Sequence, residues 1–251
     1  MDILIDHLVE ARNAHLRNDW RASYAAFVRA DGLGPMPTDD LDAYSAAAWR
    51  LGHRSEAVRL AERTYDRLVR NDQSAAAMTA ALLALQWRAR EHQAVARQWA
   101  DRARGLLAGV SASGTHGYLA YLDAATALDE DDAAALTRAA DALRETVANT
   151  ADTTLAVLSR VVDGISALLQ ARDDVGYRLL DDALLPVLDD RVRLEWAGDV
   201  YRLVLRSGRR ADAQHRQSWT ESMRRWVVIT GVVIDHDDNS EVRPADRRRG
   251  R

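Results

Sequence analysis

Over most of the chain, apolar residues recur at i, i+3, i+4 and i+7 in short stretches, the spacing of amphipathic helices, and polar breaks separate the stretches. Breaks fall at Asn18-Asp19, Leu51-Gly52-His53, Arg90-Glu91-His92, Asp129-Glu130-Asp131, Ala171-Arg172-Asp173 and Arg206-Ser207-Gly208, which predicts six helix pairs. One register of the second helices aligns Ser23, Ala57, Ala96, Ala135, Gly176 and Ala213. Seven residues later it aligns Ala30, Thr64, Ala103, Ala142, Ala183 and Thr220. The anchors lie 34, 39, 39, 41 and 37 residues apart, which fits a helical-hairpin repeat with loops of varied length. Short side chains where two antiparallel helices cross let the backbones approach, with bulk moved to flanking positions. Trp20, Tyr24 and Phe27, and likewise Trp99, Leu106 and Leu107, read as core stripes of such helices.

Loop chemistry divides the chain at the same places. Gly32 to Thr38, with two glycines and two prolines, ends the first pair, and Thr38 or Asp39 is placed to cap the next helix. Val110 to Thr115 does the same after the third pair, and Pro186 is expected to end or kink the second helix of the fifth. After Trp226 the chain turns β-branched, so residues 227–234 read as a strand or a short apolar cap, and residues 235–251 as a charged, disordered tail. The helical-repeat domain is therefore expected over residues 1–226. The face of the first helix that carries Leu4, Leu8, Ala11 and His15 lets it cover the start of the array, as residues 227–234 would cover its end.

The arrangement resembles the tetratricopeptide-type repeat. Asn18-Asp19-Trp20 followed by Ser23, Phe27, Ala30 and Pro35 carries the best match, and Leu51-Gly52 with Arg54, Glu56 and Ala57 repeats its hairpin-turn part. A closer likeness spans most of the chain. Ala94-Val95-Ala96 with Trp99, Arg102-Ala103-Arg104, His116-Gly117-Tyr118-Leu119, Leu179 to Ala183, Gly198-Asp199-Val200-Tyr201, and Trp219-Thr220-Glu221 with Arg225-Trp226 look like the repeat region of large actinobacterial LuxR-type regulators. Similar regions occur in some cyclase-linked signalling proteins. The resemblance implies an all-α, right-handed superhelix of about six antiparallel hairpins serving bacterial regulation or signalling. It does not extend to the domains that usually flank such regions: no G-x-x-x-x-G-K-[ST] loop is present, and the 25 residues beyond Trp226 are too few for a helix-turn-helix module. Neither ATP hydrolysis nor DNA binding carries over.

Composition agrees with helices and narrows the chemistry. Forty-five residues are Ala, while Gly (13) and Pro (4) are few. All 34 basic residues are Arg and 29 of the 38 acidic residues are Asp, as codon bias in a GC-rich genome would give. A net charge of −4 provides no whole-chain field for nucleic acid or an anionic membrane. With no Cys there are no disulfides, thiolate metal sites or thiol nucleophiles. The N-terminus lacks a signal-peptide pattern and no apolar run reaches about 18 residues, so the expectation is a cytoplasmic protein.

No constellation announces catalysis. The seven histidines form no i, i+4 pair, and both H-E-x-x-H and G-x-S-x-G are missing. Asp129 to Asp132, Asp173-Asp174, Asp181-Asp182, Asp189-Asp190 and Asp235 to Asp238 read mainly as helix caps or solvated charge rather than metal sites. Arg247 to Arg251 reads as non-specific basic charge. The expectation is a non-enzyme without cofactor or metal that binds a protein or peptide in a concave groove. Arg12, His15, Trp49, Arg50 and Arg88 are the candidate contacts, because they fall at outward positions late in the first helices and because Arg and Trp dominate binding hot spots. The alternative is a ligand-sensing module that holds a small molecule inside the superhelix and acts by oligomerising, with the Val227 to Ile234 segment as dimer contact.

Overall fold

The computed structural model describes residues 2–110, 113–209 and 211–233. Among them are twelve α-helices and no strand. They are α1 (Asp2–Leu16), α2 (Trp20–Asp31), α3 (Thr38–Arg50), α4 (Arg54–Asn71), α5 (Gln73–Ala89), α6 (Gln93–Leu106), α7 (Thr115–Asp129), α8 (Ala133–Ala148), α9 (Thr153–Leu169), α10 (Asp173–Leu188), α11 (Leu194–Ser207) and α12 (Ala213–Thr230). Each odd-numbered helix packs on the helix that follows it. The turns inside these pairs lie at the expected breaks. Five place one residue in the left-handed region: Asn18, Gly52, Glu91, Asp131 and Ala171, with φ between 54° and 86°. Five helices start on an aspartate whose carboxylate accepts the N–H three residues on: Asp19, Asp72, Asp132, Asp152 and Asp212.

Two layers follow from the distribution of apolar residues. α5, α7 and α9 are buried nearly all round, as uniformly apolar helices must be. α4, α6, α8 and α10 bury one stripe and turn charged residues outward. α5 packs on α7, α7 on α9 and α9 on α11, and α11 comes back to α5, so these four helices close into a ring of contacts. α1 to α4 form a smaller core around Phe27, Leu41 and Tyr44, and Leu194 at the start of α11 touches both cores.

Several details depart from expectation. The register of small residues holds in α2, α4 and α6 but slips by one in α8, where Leu136 and Leu143 face the core and Ala142 is exposed. In α12 Ala213 is exposed while Trp219 and Trp226 point inward. α3 begins at Thr38 with no side-chain cap. α10 runs through Pro186 to Leu188, because a proline in the last turn forfeits only one helical hydrogen bond. Among the described residues no strand follows Trp226: residues 227–230 are the last turn of α12, and Gly231 (φ 64°) breaks the helix. Val232 is buried, and the N–H of Val233 reaches the Arg50 carbonyl at 3.0 Å. Ile234 and residues 235–251 lie outside the described residues. No helix among the described residues is long and apolar enough to cross a membrane.

Candidate functional site

The five residues expected to face outward into a groove are mostly packed. Arg12 is the exception: half exposed on α1, it grips Asp40 of α3 through Nε and Nη2 at 2.7 and 2.6 Å. His15 lies half buried, edge-on to the Trp20 ring at 5.0 Å, and burial, helped by the charge of Arg50, lowers its pKa. Arg50 is buried, with its guanidinium 4.0 Å above the same Trp20 ring. Trp49 is buried beneath the guanidinium of Arg54. Arg88 is 2 % exposed, donating to Asp129 and, at 3.3 Å, to the Ala125 carbonyl. His15 and Arg50 thus meet at Trp20, Arg12 and Trp49 sit on other faces of the same helices, and Arg88 is far along the chain. The outward placement of Trp49, Arg50 and Arg88 is corrected: each has a partner on another turn or helix that covers it.

Between α5 and α9 the chain places α11, which packs on both. The buried Tyr121 of α7 donates to Asp199 of α11 at 2.8 Å, and Arg202 holds the other Asp199 oxygen at 2.8 and 2.6 Å. Burial, then the charge of Asp199, pushes the Tyr121 hydroxyl well above its ordinary pKa, so it stays a donor. Asp129 is shared by Arg88 and Arg206. Burial alone would raise its pKa, but the Arg88 hydrogen bond and the charges of Arg88, Arg206 and Arg202 hold it below the ordinary value. Trp196, fully buried, packs on Tyr118 and Tyr121 at ring separations of 4.6 and 5.8 Å.

A recess of about 510 Å³ opens at the end of the ring where α5, α7 and α9 begin and the chain enters α11. Its size falls within the about 300–1,000 Å³ range of small-molecule sites. Three alternate connections contribute most of its lining. The one before α7 contributes Ser113 and Thr115, the one before α9 contributes Asp152 to Thr154, and the one before α11 contributes Arg191 and Arg193. Tyr118, one turn into α7, forms part of the wall and donates to Asp152 at 2.8 Å; burial and then Asp152 raise its pKa. The second Asp152 oxygen accepts the Leu155 N–H, so that carboxylate is occupied with local structure. The Thr154 hydroxyl accepts the Arg193 backbone N–H at 3.3 Å. Arg191 and Arg193 are exposed, and their guanidiniums make no hydrogen bond or ion pair among the described residues.

These residues escaped sequence reading singly, yet a signal was present. Ser113-Gly114-Thr115, Asp152-Thr153-Thr154 and Arg191-Val192-Arg193 all fall at the entry to an odd-numbered helix, α7, α9 and α11. The acidic runs mostly serve structure: Asp132 caps α8, Asp173 and Asp174 lie in the first turn of α10, and Asp181 accepts the Trp219 indole N–H at 2.7 Å. No group of three His, Asp or Glu side chains able to hold a metal ion occurs among the described residues. The Asp235 to Asp238 and Arg247 to Arg251 runs lie outside them.

No family model, curated protein or solved structure matches the chain.

Proposed function

We propose that this chain is a non-catalytic helical-repeat module, six hairpins wound as a right-handed superhelix, that binds a small molecule in the recess at the start of α5, α7 and α9 and serves a regulatory role. The observation that carries the reading is a built opening at the end of the closed ring: α11 packs on both α5 and α9 to complete the ring, while hydroxyls, a phenol and two guanidiniums without a hydrogen-bond partner among the described residues surround about 510 Å³ at its end. A few convergent polar groups in a concavity are what orient a small ligand. A protein or peptide partner would then be engaged on the outer surface rather than in a groove. The test is a thermal-shift screen of the full chain against a library of small metabolites, because a ligand that binds only the folded state raises its midpoint. Hits abolished by Tyr118→Phe and Thr115→Val together support the recess; hits indifferent to both variants refute it.

A specific observation favours assembly as the output. Val228 and Ile229 at the end of α12 are 82 % and 56 % exposed, and Val233 beside them is also open, an apolar strip of the kind that marks association surfaces. Light scattering on Val228→Asp/Ile229→Asp, which leaves the contact of Val233 with Arg50 in place, is expected to reduce the mass to one chain's. Unaltered mass removes the strip from any assembly role.

A further inference from the structure

We infer that the ligand of the recess carries an oxyanion, a phosphate or carboxylate group, on a small hydroxyl-bearing body; the inference rests on the recess being a ligand site. Arg191 and Arg193 stand two residues apart on the connection into α11, both at the recess wall. Elsewhere several arginines are matched with carboxylates: Arg12 with Asp40, Arg63 with Asp31, Arg97 with Glu130, Arg104 with Asp101 and Asp123, and Arg144 with Asp141 and Asp163. The recess lining carries two guanidiniums and one carboxylate, Asp152, which is already taken by Tyr118 and the Leu155 N–H, while Asp42 of α3 feels the charge of Arg193 from outside the lining. The lining itself thus holds one more guanidinium than carboxylates, and such forked donors match the geometry of phosphate and carboxylate oxygens.

The buried lining points the same way. The Thr115 hydroxyl, 6 % exposed, finds only the Met78 sulfur at 3.9 Å, a weak acceptor, so its hydrogen-bonding capacity is largely unspent toward the recess it lines. Ser113 and Thr153 add further hydroxyls. A bare inorganic ion would occupy a small part of the volume, whereas a phosphorylated or carboxylated polyol engages guanidiniums and hydroxyls together. A cation is disfavoured, because the one carboxylate of the lining, Asp152, already accepts from Tyr118 and the Leu155 N–H.

The test is calorimetric titration of the full chain with ribose 5-phosphate, gluconate and ribose at low ionic strength, where charge attraction is least screened. Either anionic probe is expected to bind at least about tenfold tighter than ribose. Arg191→Glu/Arg193→Glu, both exposed positions, is expected to weaken that binding by about ten- to a hundredfold, the range of hydrogen bonds to charged groups. Which of the two anions binds separates phosphate from carboxylate. Ribose binding as tightly as both anions, or anion binding unchanged in the double variant, overturns the charge assignment. If ribose binds and is lost on Thr115→Val, the recess remains a ligand site and only its anionic character fails. If none of the three probes binds, the oxyanion assignment fails. If the metabolite screen is also silent, the ligand reading falls with it.

Discussion

Gly176→Ala adds one methyl group where α10 crosses α9. A Cβ there would lie 2.6 Å from both Cγ and Cδ2 of Leu168 and 3.0 Å from the Gly164 carbonyl oxygen. Gly164 stands opposite, and a Cβ on it would lie 2.8 Å from Cγ of Leu180, so the two glycines together set the distance between the helices. Leu168 is itself buried and its Cγ is not a mobile tip, so the helices must separate. A clash this short against two carbons of a buried leucine falls in the upper part of the range for overpacking, about 2–3 kcal/mol. Alanine recovers about 1 kcal/mol of helix propensity, leaving a net loss of about 1–2 kcal/mol. In a chain of this size that lowers the melting midpoint by about 2–8 °C. The control is Gly105→Ala in α6, where a Cβ meets nothing within 4 Å. Only the propensity gain operates there, about 0.5–1 kcal/mol of stabilisation. Urea unfolding followed by far-UV circular dichroism gives both values, and an unchanged slope ensures that the same transition is compared. Equal effects at the two positions, or a Gly176→Ala protein as stable as the parent, would refute the close crossing.

Three further outcomes are expected. Ala171→Gly relieves a left-handed alanine (φ 55°) in the turn between α9 and α10 and should stabilise by about 0.5–1 kcal/mol in the same unfolding assay, whereas a loss would mean the turn is built differently. Asp199→Ala strands the Tyr121 hydroxyl and the partly shielded Arg202, and should cost about 2–3 kcal/mol, the lower side of a broken buried pair; a cost below that of a typical surface substitution would contradict the packing of α11. Because His15 has its pKa lowered by burial and then by Arg50, its contribution to stability is present above the unfolded value near about 6.5 and is lost as the pH falls below it. The unfolding free energy of His15→Gln should therefore vary less between pH 7 and pH 5 than that of the parent, and parallel curves would remove His15 from the acid response.

Local features of the fold were legible in the sequence where they have local causes. The breaks at Asn18-Asp19, Gly52 and Asp131 are turns because a residue there takes positive φ or an aspartate caps the next helix, both matters of a few neighbouring residues. The register of α8 was misread because Ala133 to Ala135 and Ala139-Ala140 supply no bulk to mark which face is inside. Trp219 and Trp226, not Ala213, mark the inner face of α12. Tyr121 and Asp199 are 78 residues apart, so no periodicity could announce that α11 returns to the ring. Arg50 and Arg88 were assigned to the outside from the repeat register, and what covers them, the Trp20 ring and Asp129, lies on other helices. The recess was invisible for the same reason: its three connections each look like an ordinary loop until the ring brings them to one end.

Amide hydrogen exchange read by mass spectrometry across α11 bears most directly on the closed ring at whose end the recess lies. A hairpin near the end of an open stack frays and exchanges early. With α11 packed on both α5 and α9 to close the ring, peptides from Leu194–Ser207 should be protected as strongly as those of α7 and α9, and more strongly than those of α1. Exchange of α11 at the rate of α1 would contradict the closed ring.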